Sequence, residues 1–398
     1  MPASDGAGLV GLLNKPGYRY GAYFHIPFCD TKCVYCDFYS LTNHDQAVRF
    51  YAALKKEIPL RLLADPIDKP ISSIFFGGGT PSLADPADLG DCIRILADHV
   101  PIVQNAEITL EANPGTLTPE KLTSLLSQGF NRISMGVQSF SDDDLKFLSR
   151  IHSADTAKKA VNDAASAGFS NISIDLIFGL PGQSAEAWKR NLEQAVNLPI
   201  SHISCYNLIV EEKTPLFSWV KSGKIQVPDE DHNSELYEIT IQFLRENGFE
   251  HYEVSNFCRS GKASLHNSTY WSWDPWLAFG PSAHGFNGTT RYRNFRNLGR
   301  YLEFLESGKL PEEERESLDS ITCTNEKLML GVRTVEGVNI EQIWKDLTAG
   351  DSKNLRHKLD WFEKKGYLNW SDSFLKATPE GLRFGDFLAG ELFIDPAV

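Results

Sequence analysis

No run of apolar residues in this 398-residue chain approaches the ~20 that cross a bilayer as a helix, which argues against a transmembrane segment. A positive charge balance is missing too: 39 Lys and Arg face 52 Asp and Glu, for a formal net charge of -13. Such a chain repels phosphate, so nucleic acid and anionic membranes are not expected as partners, though a local basic pocket stays open. The stretch from Met1 to Pro16 has no basic region followed by an apolar one, as a secretory leader requires. Seven cysteines in a chain this long do not resemble the dense framework of a small secreted disulfide scaffold. A cytoplasmic, thiol-reducing location is expected, where clustered cysteines serve metal or redox chemistry. No low-complexity tract is present, and no repeat other than a β/α unit.

What is present supports one large domain and a smaller one. Short runs rich in Ile, Phe, Val and Tyr, at Tyr20–His25, Ile71–Phe76, Glu107–Glu111, Arg132–Val137, Asn171–Phe178 and His202–Leu208, read as strands. Helical patterns lie between them. Thr118–Gln128 has Thr at the N-cap and Pro behind it, Asp155–Ala167 ends on Gly168, and Glu186–Val196 is amphipathic. Six alternating units predict an α/β fold, a full or partial β/α barrel, over residues 18–254. Residues 255–308 form an aromatic, Gly-rich connecting segment. Lys309–Glu316 reads as an acidic linker and Glu312–Glu316 as a solvated face. Residues 309–398 then hold three helical stretches, Asn325–Arg333, Ile340–Leu347 and Leu355–Lys365, and two short strands, Tyr367–Trp370 and Leu375–Ala377. That is a smaller α+β, winged-helix-like module, read as a docking domain without a nucleic-acid role.

Chemistry in such folds gathers at the C-terminal ends of the strands. Just past the first strand lie Cys29, Cys33 and Cys36, spaced C-x3-C-x2-C. A structural zinc wants four protein ligands, as does an ordinary electron-transfer iron–sulfur cluster. The next cysteine, Cys92, is far along the chain. Three thiolates on a four-iron cube leave one iron open for a substrate. This pattern resembles the radical S-adenosylmethionine superfamily. The resemblance implies a [4Fe-4S] cluster on the three cysteines and S-adenosylmethionine chelated at the open iron, with an external reductant for the cluster.

Further phrases narrow the resemblance: His25-Ile26-Pro27-Phe28-Cys29, Phe76-Gly77-Gly78-Gly79-Thr80-Pro81-Ser82, Gly136-Val137-Gln138-Ser139, Arg150-Ile151-His152 and Asp175-Leu176-Ile177-Phe178-Gly179-Leu180-Pro181-Gly182-Gln183. Together they are similar to the oxygen-independent coproporphyrinogen III oxidase family and its paralogous branch, the HemW-type heme chaperones. That likeness implies S-adenosylmethionine contacts at Gly78, Gly79, Thr80, Glu111, Gln138, Arg150 and Asp175. Tyr23 and Tyr35 flank the cluster; they pack against it or adenine, or serve as barrel-core aromatics.

Two departures separate the branches. The oxidases carry a further cysteine two residues after the third, where this chain has Phe38, and a longer segment before the first strand than the twenty or so residues preceding Tyr23. Both favour the chaperone branch. So does His266-Asn267-Ser268-Thr269-Tyr270-Trp271, which resembles its H-N-x-x-Y-W motif. The resemblance then implies heme contact by His266, Asn267, Tyr270 and Trp271, with client hemoproteins, respiratory ones among them, as partners. The alternative function is oxidative decarboxylation of coproporphyrinogen III. Arg291, Arg293, Arg296 and Arg300 either meet heme carboxylates or, more plainly, pair with the chain's own acids. Cys92, Cys205, Cys258 and Cys323 read as small buried hydrophobes.

Overall fold

The computed structural model describes residues 19–394. The leader reading of Met1–Pro16 lies outside them, as do Tyr18 and residues 395–398 at the ends of the expected domains. The six expected strands form in order: β1 (Gly21–Ile26), β2 (Ile71–Gly78), β3 (Ile102–Ala112), β4 (Arg132–Gln138), β5 (Ile172–Phe178) and β6 (His202–Asn207). Each runs parallel to its neighbour. Helices Ala47–Ala64, Pro86–His99, Pro119–Ser127, Ala154–Ala167 and Ala185–Val196 connect them. Local chemistry sets their ends. Thr118 accepts from the Lys121 amide at 3.2 Å, and Gly168 stops its helix at φ +116°. β3 is longer than its expected Glu107–Glu111 because it begins in a stretch with exposed polar side chains that carries no apolar alternation.

Side chains alternate across these strands. Phe24, Phe76, Leu110, Ile133, Ile174 and Ile203 join the helices in one hydrophobic core. The intervening positions are polar: Ser73, Thr109, Ser134, Ser173 and Ser204 are buried on the other face. The inner face of the sheet is therefore a hydrogen-bonding surface, and the apolar core lies between sheet and helices.

The sheet continues past both edges. β7 (Glu250–Glu253) and β8 (Asn256–Cys258) add antiparallel strands beside β6. β9 (Trp276–Phe279) runs parallel to β1, and β10 (His284–Phe286), β11 (Thr290–Asn294) and β12 (Glu312–Ser317) follow in antiparallel order. The result is an open, parallel-rich sheet of twelve strands, the expected partial barrel, with the aromatic Gly-rich stretch built into it. One expectation needs correction: Lys309–Glu316 is no linker, since most of it is β12. Arg291 meets Glu316 at 3.1 Å and Arg293 meets Glu314 at 3.0 Å across the strand pair. Cross-strand ion pairs stabilise a strand that its acidity alone would disfavour.

A second core, including Leu328, Val332, Leu355, Leu359 and Leu375, supports the smaller C-terminal unit. Its sheet of β13 (Val338–Asn339), β14 (Leu368–Trp370) and β15 (Phe374–Ala377) is antiparallel, with helices Ser320–Gly331 and Ala349–Lys364 beside it. It meets the edge strand β7 through Val335 N to Tyr252 O and Val254 N to Arg333 O, both 3.1 Å.

Glu57 pins the returning strands to helix Ala47–Ala64. Fully buried, it accepts from Gly280 N at 2.8 Å, Tyr301 Oη at 2.6 Å and Asn294 Nδ2 at 2.6 Å. Glu57→Ala strands three buried donors and is expected to cost about 3 kcal/mol or more in urea unfolding. Glu57→Gln should cost less, because its amide oxygen still accepts.

Candidate functional site

The loop after β1 is folded back on itself. Cys29 N donates to Leu41 O at 3.0 Å, Leu41 N to Pro27 O at 2.6 Å, and Cys36 N to Cys33 O at 3.2 Å. This closure turns Cys29, Cys33 and Cys36 toward one cavity of about 640 Å³ at the C-terminal ends of the strands. Burial raises the Cys29 and Cys36 thiols above their ordinary range, so a metal binding there displaces protons. Two donors already aim at sulfur: Thr80 Oγ1 lies 3.3 Å from Cys29 Sγ, and Arg150 Nη1 lies 3.4 Å from Cys33 Sγ. Among the described residues no three His, Cys, Asp or Glu side chains close on a single-ion position.

The glycine turn at the end of β2 approaches this loop closely. Gly79 N donates to Ile26 O at 2.8 Å and Thr80 N to Phe28 O at 2.7 Å. A Cβ on Gly79 would stand 2.7 Å from the Phe28 carbonyl, and one on Gly78, at φ +107°, only 2.4 Å from the His25 ring. Only glycine permits that approach. Opposite, Glu111 Oε2 accepts from Gly78 N at 3.1 Å. Burial, reinforced by the nearby Asp175 charge, raises the Glu111 carboxyl to about 7. Burial also raises Asp175, against donation from Ser204 and the fields of Arg132 and Arg150.

Gln138 holds φ +71°, at a register shift between β4 and β5. A non-glycine residue in that region marks backbone held for a purpose beyond pairing. Arg150 reaches Gly136 O at 2.8 Å, while its buried Nε has no partner. Tyr35 lies beside Arg150 on the same wall, its phenol raised by burial. Two deep carboxylates, a glycine cradle and an orphaned guanidinium N–H suit a ligand carrying ammonium and sulfonium charges with a carboxylate. The donor set thus fits S-adenosylmethionine beside an iron–sulfur cluster.

The three cysteines, Tyr35, Gly78, Gly79, Thr80, Glu111, Gln138, Arg150 and Asp175 therefore share one cavity. Tyr23, His266, Asn267, Tyr270 and Trp271 are not among its lining residues. Tyr23 bonds His25 Nδ1 at 3.0 Å and stacks on Phe75 and His266, the barrel-core alternative. His266 is 1% exposed, with Nδ1 3.0 Å from Ser73 Oγ and Nε2 2.7 Å from Tyr270 Oη. Both ring nitrogens are hydrogen-bonded within the protein. Asn267 N is capped by Ser264 at 3.3 Å in the same short helix, Leu265–Trp271. Sequence reasoning missed Ser134, Tyr206, Asn207, Ile151 and Ile209 as cavity residues. Tyr206 and Asn207 end a parallel strand, a signal that could have found them.

Residues 23–195 match the Radical SAM superfamily and residues 318–384 the HemN C-terminal domain. Fold and site thus define a radical S-adenosylmethionine scaffold. A Mycobacterium tuberculosis protein named heme chaperone HemW is 36% identical over 340 residues, 84% of this chain and 87% of that one. The Bacillus subtilis protein of that name is 32% identical over 370 residues, 93% of this chain and 98% of its own. The chain belongs to the HemW family. Escherichia coli coproporphyrinogen III oxidase, HemN, has the same fold, with a TM-score of 0.80, 23% identity and coverage of 98% of this chain and 93% of that one.

The fold favours neutral Glu111, so its contribution to stability is full below about pH 4.5 and lost as pH rises through about 7. The ligand-free protein should show a falling urea midpoint across that window, and Glu111→Gln should flatten the fall.

Proposed function

We propose that this protein is a cytosolic heme chaperone that binds heme and passes it to hemoproteins, respiratory ones among them. The observation that carries this reading is identity of 32% and 36%, over most of both chains, to proteins named as heme chaperones. In the same reading Cys29, Cys33 and Cys36 hold a [4Fe-4S] cluster, and Gly78, Gly79, Thr80, Glu111, Gln138, Arg150 and Asp175 hold S-adenosylmethionine. When bound, the reduced cluster supplies an electron to the sulfonium.

The chain's own residues have separate tasks. Thr80 and Arg150 aim donors at the Cys29 and Cys33 sulfurs and would stabilise the thiolates' negative charge with a cluster bound. Glu111, once ionised, holds the cofactor's positive groups and fixes the glycine turn through Gly78 N. An outside reductant must deliver the electron. Among the described residues no helix is long and apolar enough to cross a membrane. A second reading, coproporphyrinogen III oxidation, has the shared fold in its favour. Phe38 stands against it, occupying the place of the additional cysteine that the oxidases carry.

Anaerobic reconstitution tests both. Heme is expected to bind the holoprotein, and coproporphyrinogen with cofactor and reductant is expected to stay unconverted. Protoporphyrinogen formed over many turnovers would overturn the chaperone reading. Cys33→Ala should abolish the cluster's visible absorption and most of its iron; retained iron would overturn the cluster assignment.

A further inference from the structure

The cavity changes character from floor to mouth. Glu111, Asp175 and Ser134 make its floor polar, while Phe38, Ile151, Tyr206 and Ile209 line it as exposed apolar surface. These four are 68%, 54%, 41% and 64% exposed. Of eleven strongly exposed large apolar side chains among the described residues, four thus gather at one opening. They come from the loop after β1, the turn at Ile151 and the C-terminal end of β6 with the residues after it, and none joins a hydrophobic core cluster. Apolar surface concentrated this way at a cavity marks a binding face.

One cation lines it and a second flanks the loop that carries Phe38. Lys32 lines the cavity. The Arg296 guanidinium carbon lies 5.6 Å from the ring centre of Tyr39, the residue after Phe38. Among the described residues neither Lys32 nor Arg296 forms an ion pair, although acids outnumber bases in this chain and Arg291 and Arg293 both find carboxylates. An apolar rim with two unpaired cations is complementary to a flat apolar ligand with carboxylates at its edge.

We propose that the mouth of the cluster cavity is the tetrapyrrole seat, with Phe38, Ile151, Tyr206 and Ile209 against the macrocycle and Arg296 and Lys32 at its carboxylates. This rests on the heme reading above and separates the heme site from the helix bearing His266. The macrocycle stays at the rim because the floor carries carboxylates and hydroxyls, whose burial against a hydrocarbon face without hydrogen bonds is costly.

Absorbance titration of the reconstituted holoprotein with ferric heme tests it. Phe38→Ala, Ile209→Glu and Arg296→Glu should each weaken heme binding at least fivefold, at unchanged iron content. Heme dimethyl ester, which lacks the free carboxylates, should bind wild type and Arg296→Glu within twofold of each other. His266→Ala should keep wild-type heme affinity in the folded fraction. Rim variants within twofold of a heme-binding wild type, or loss of binding on His266→Ala alone, would overturn the seat and leave the chaperone reading standing. An equal loss of ester and heme binding in Arg296→Glu would overturn the carboxylate contact. A wild type that binds no heme would overturn the chaperone reading itself.

Discussion

The close approach of the glycine turn to the exit of β1 governs everything at the top of this sheet. Gly79 N to Ile26 O and Thr80 N to Phe28 O fix the turn against the first residues of the cysteine loop. The cysteine loop and the glycine turn are therefore tied together across two adjacent parallel strands. Any Cβ at Gly79 would displace the loop carbonyls, and with them Cys29. Glu111 extends the same tie to β3 through Gly78 N. On the proposed cluster reading, such preorganisation would hold ligand and cluster in fixed geometry without a fourth protein ligand.

The polar inner face follows from that demand. Outward positions of the strands supply hydrophobic stabilisation against the helices, leaving the inner positions to hydrogen bonding. Arg132 is central among them. It is 2% exposed, lies 3.8 Å from Glu107 and 3.5 Å from the Thr109 hydroxyl, and its field partly opposes the burial that raises Glu111 and Asp175. Glu107 in turn accepts from His266 N at 3.1 Å, so the helix bearing His266 is anchored into the same buried network. Buried polar groups are costly without partners, and both His266 nitrogens are bonded, although the Arg132 Nε has no hydrogen-bond partner.

Much of this was legible in the sequence, for physical reasons. Short parallel strands buried on one face carry apolar alternation, and Thr118 and Gly168 are strong helix punctuation, so the first six strands and their helices could be read. The cysteine spacing, the glycine turn and the strand-end carboxylates are local patterns whose convergence follows from β/α topology. Strands β9 to β12 were not readable as part of the sheet. β9 and β10 contain only four and three residues, and β12 is an acidic run stabilised by Arg291 and Arg293 from its partner strand. The position of His266 was also hidden. An H-N-x-x-Y-W pattern does not reveal that Ser73, far earlier in the chain, occupies Nδ1, or that Tyr270 turns back to occupy Nε2.

The contrast between His266 and the cavity mouth bears on the proposed carrier role. A ligand enclosed beside His266 would require the helix Leu265–Trp271 to leave its Glu107 cap and its Ser73 bond before release. Breaking buried, charge-assisted hydrogen bonds makes such an exit slow. A flat ligand held at an exposed rim keeps one edge or face in solvent, where a client protein can compete for it directly. Its affinity then comes from a few apolar contacts and two surface cations, interactions whose loss is graded rather than all-or-none. On the proposed carrier role, Phe38 and Ile209 facing water suit release better than the buried His266 does.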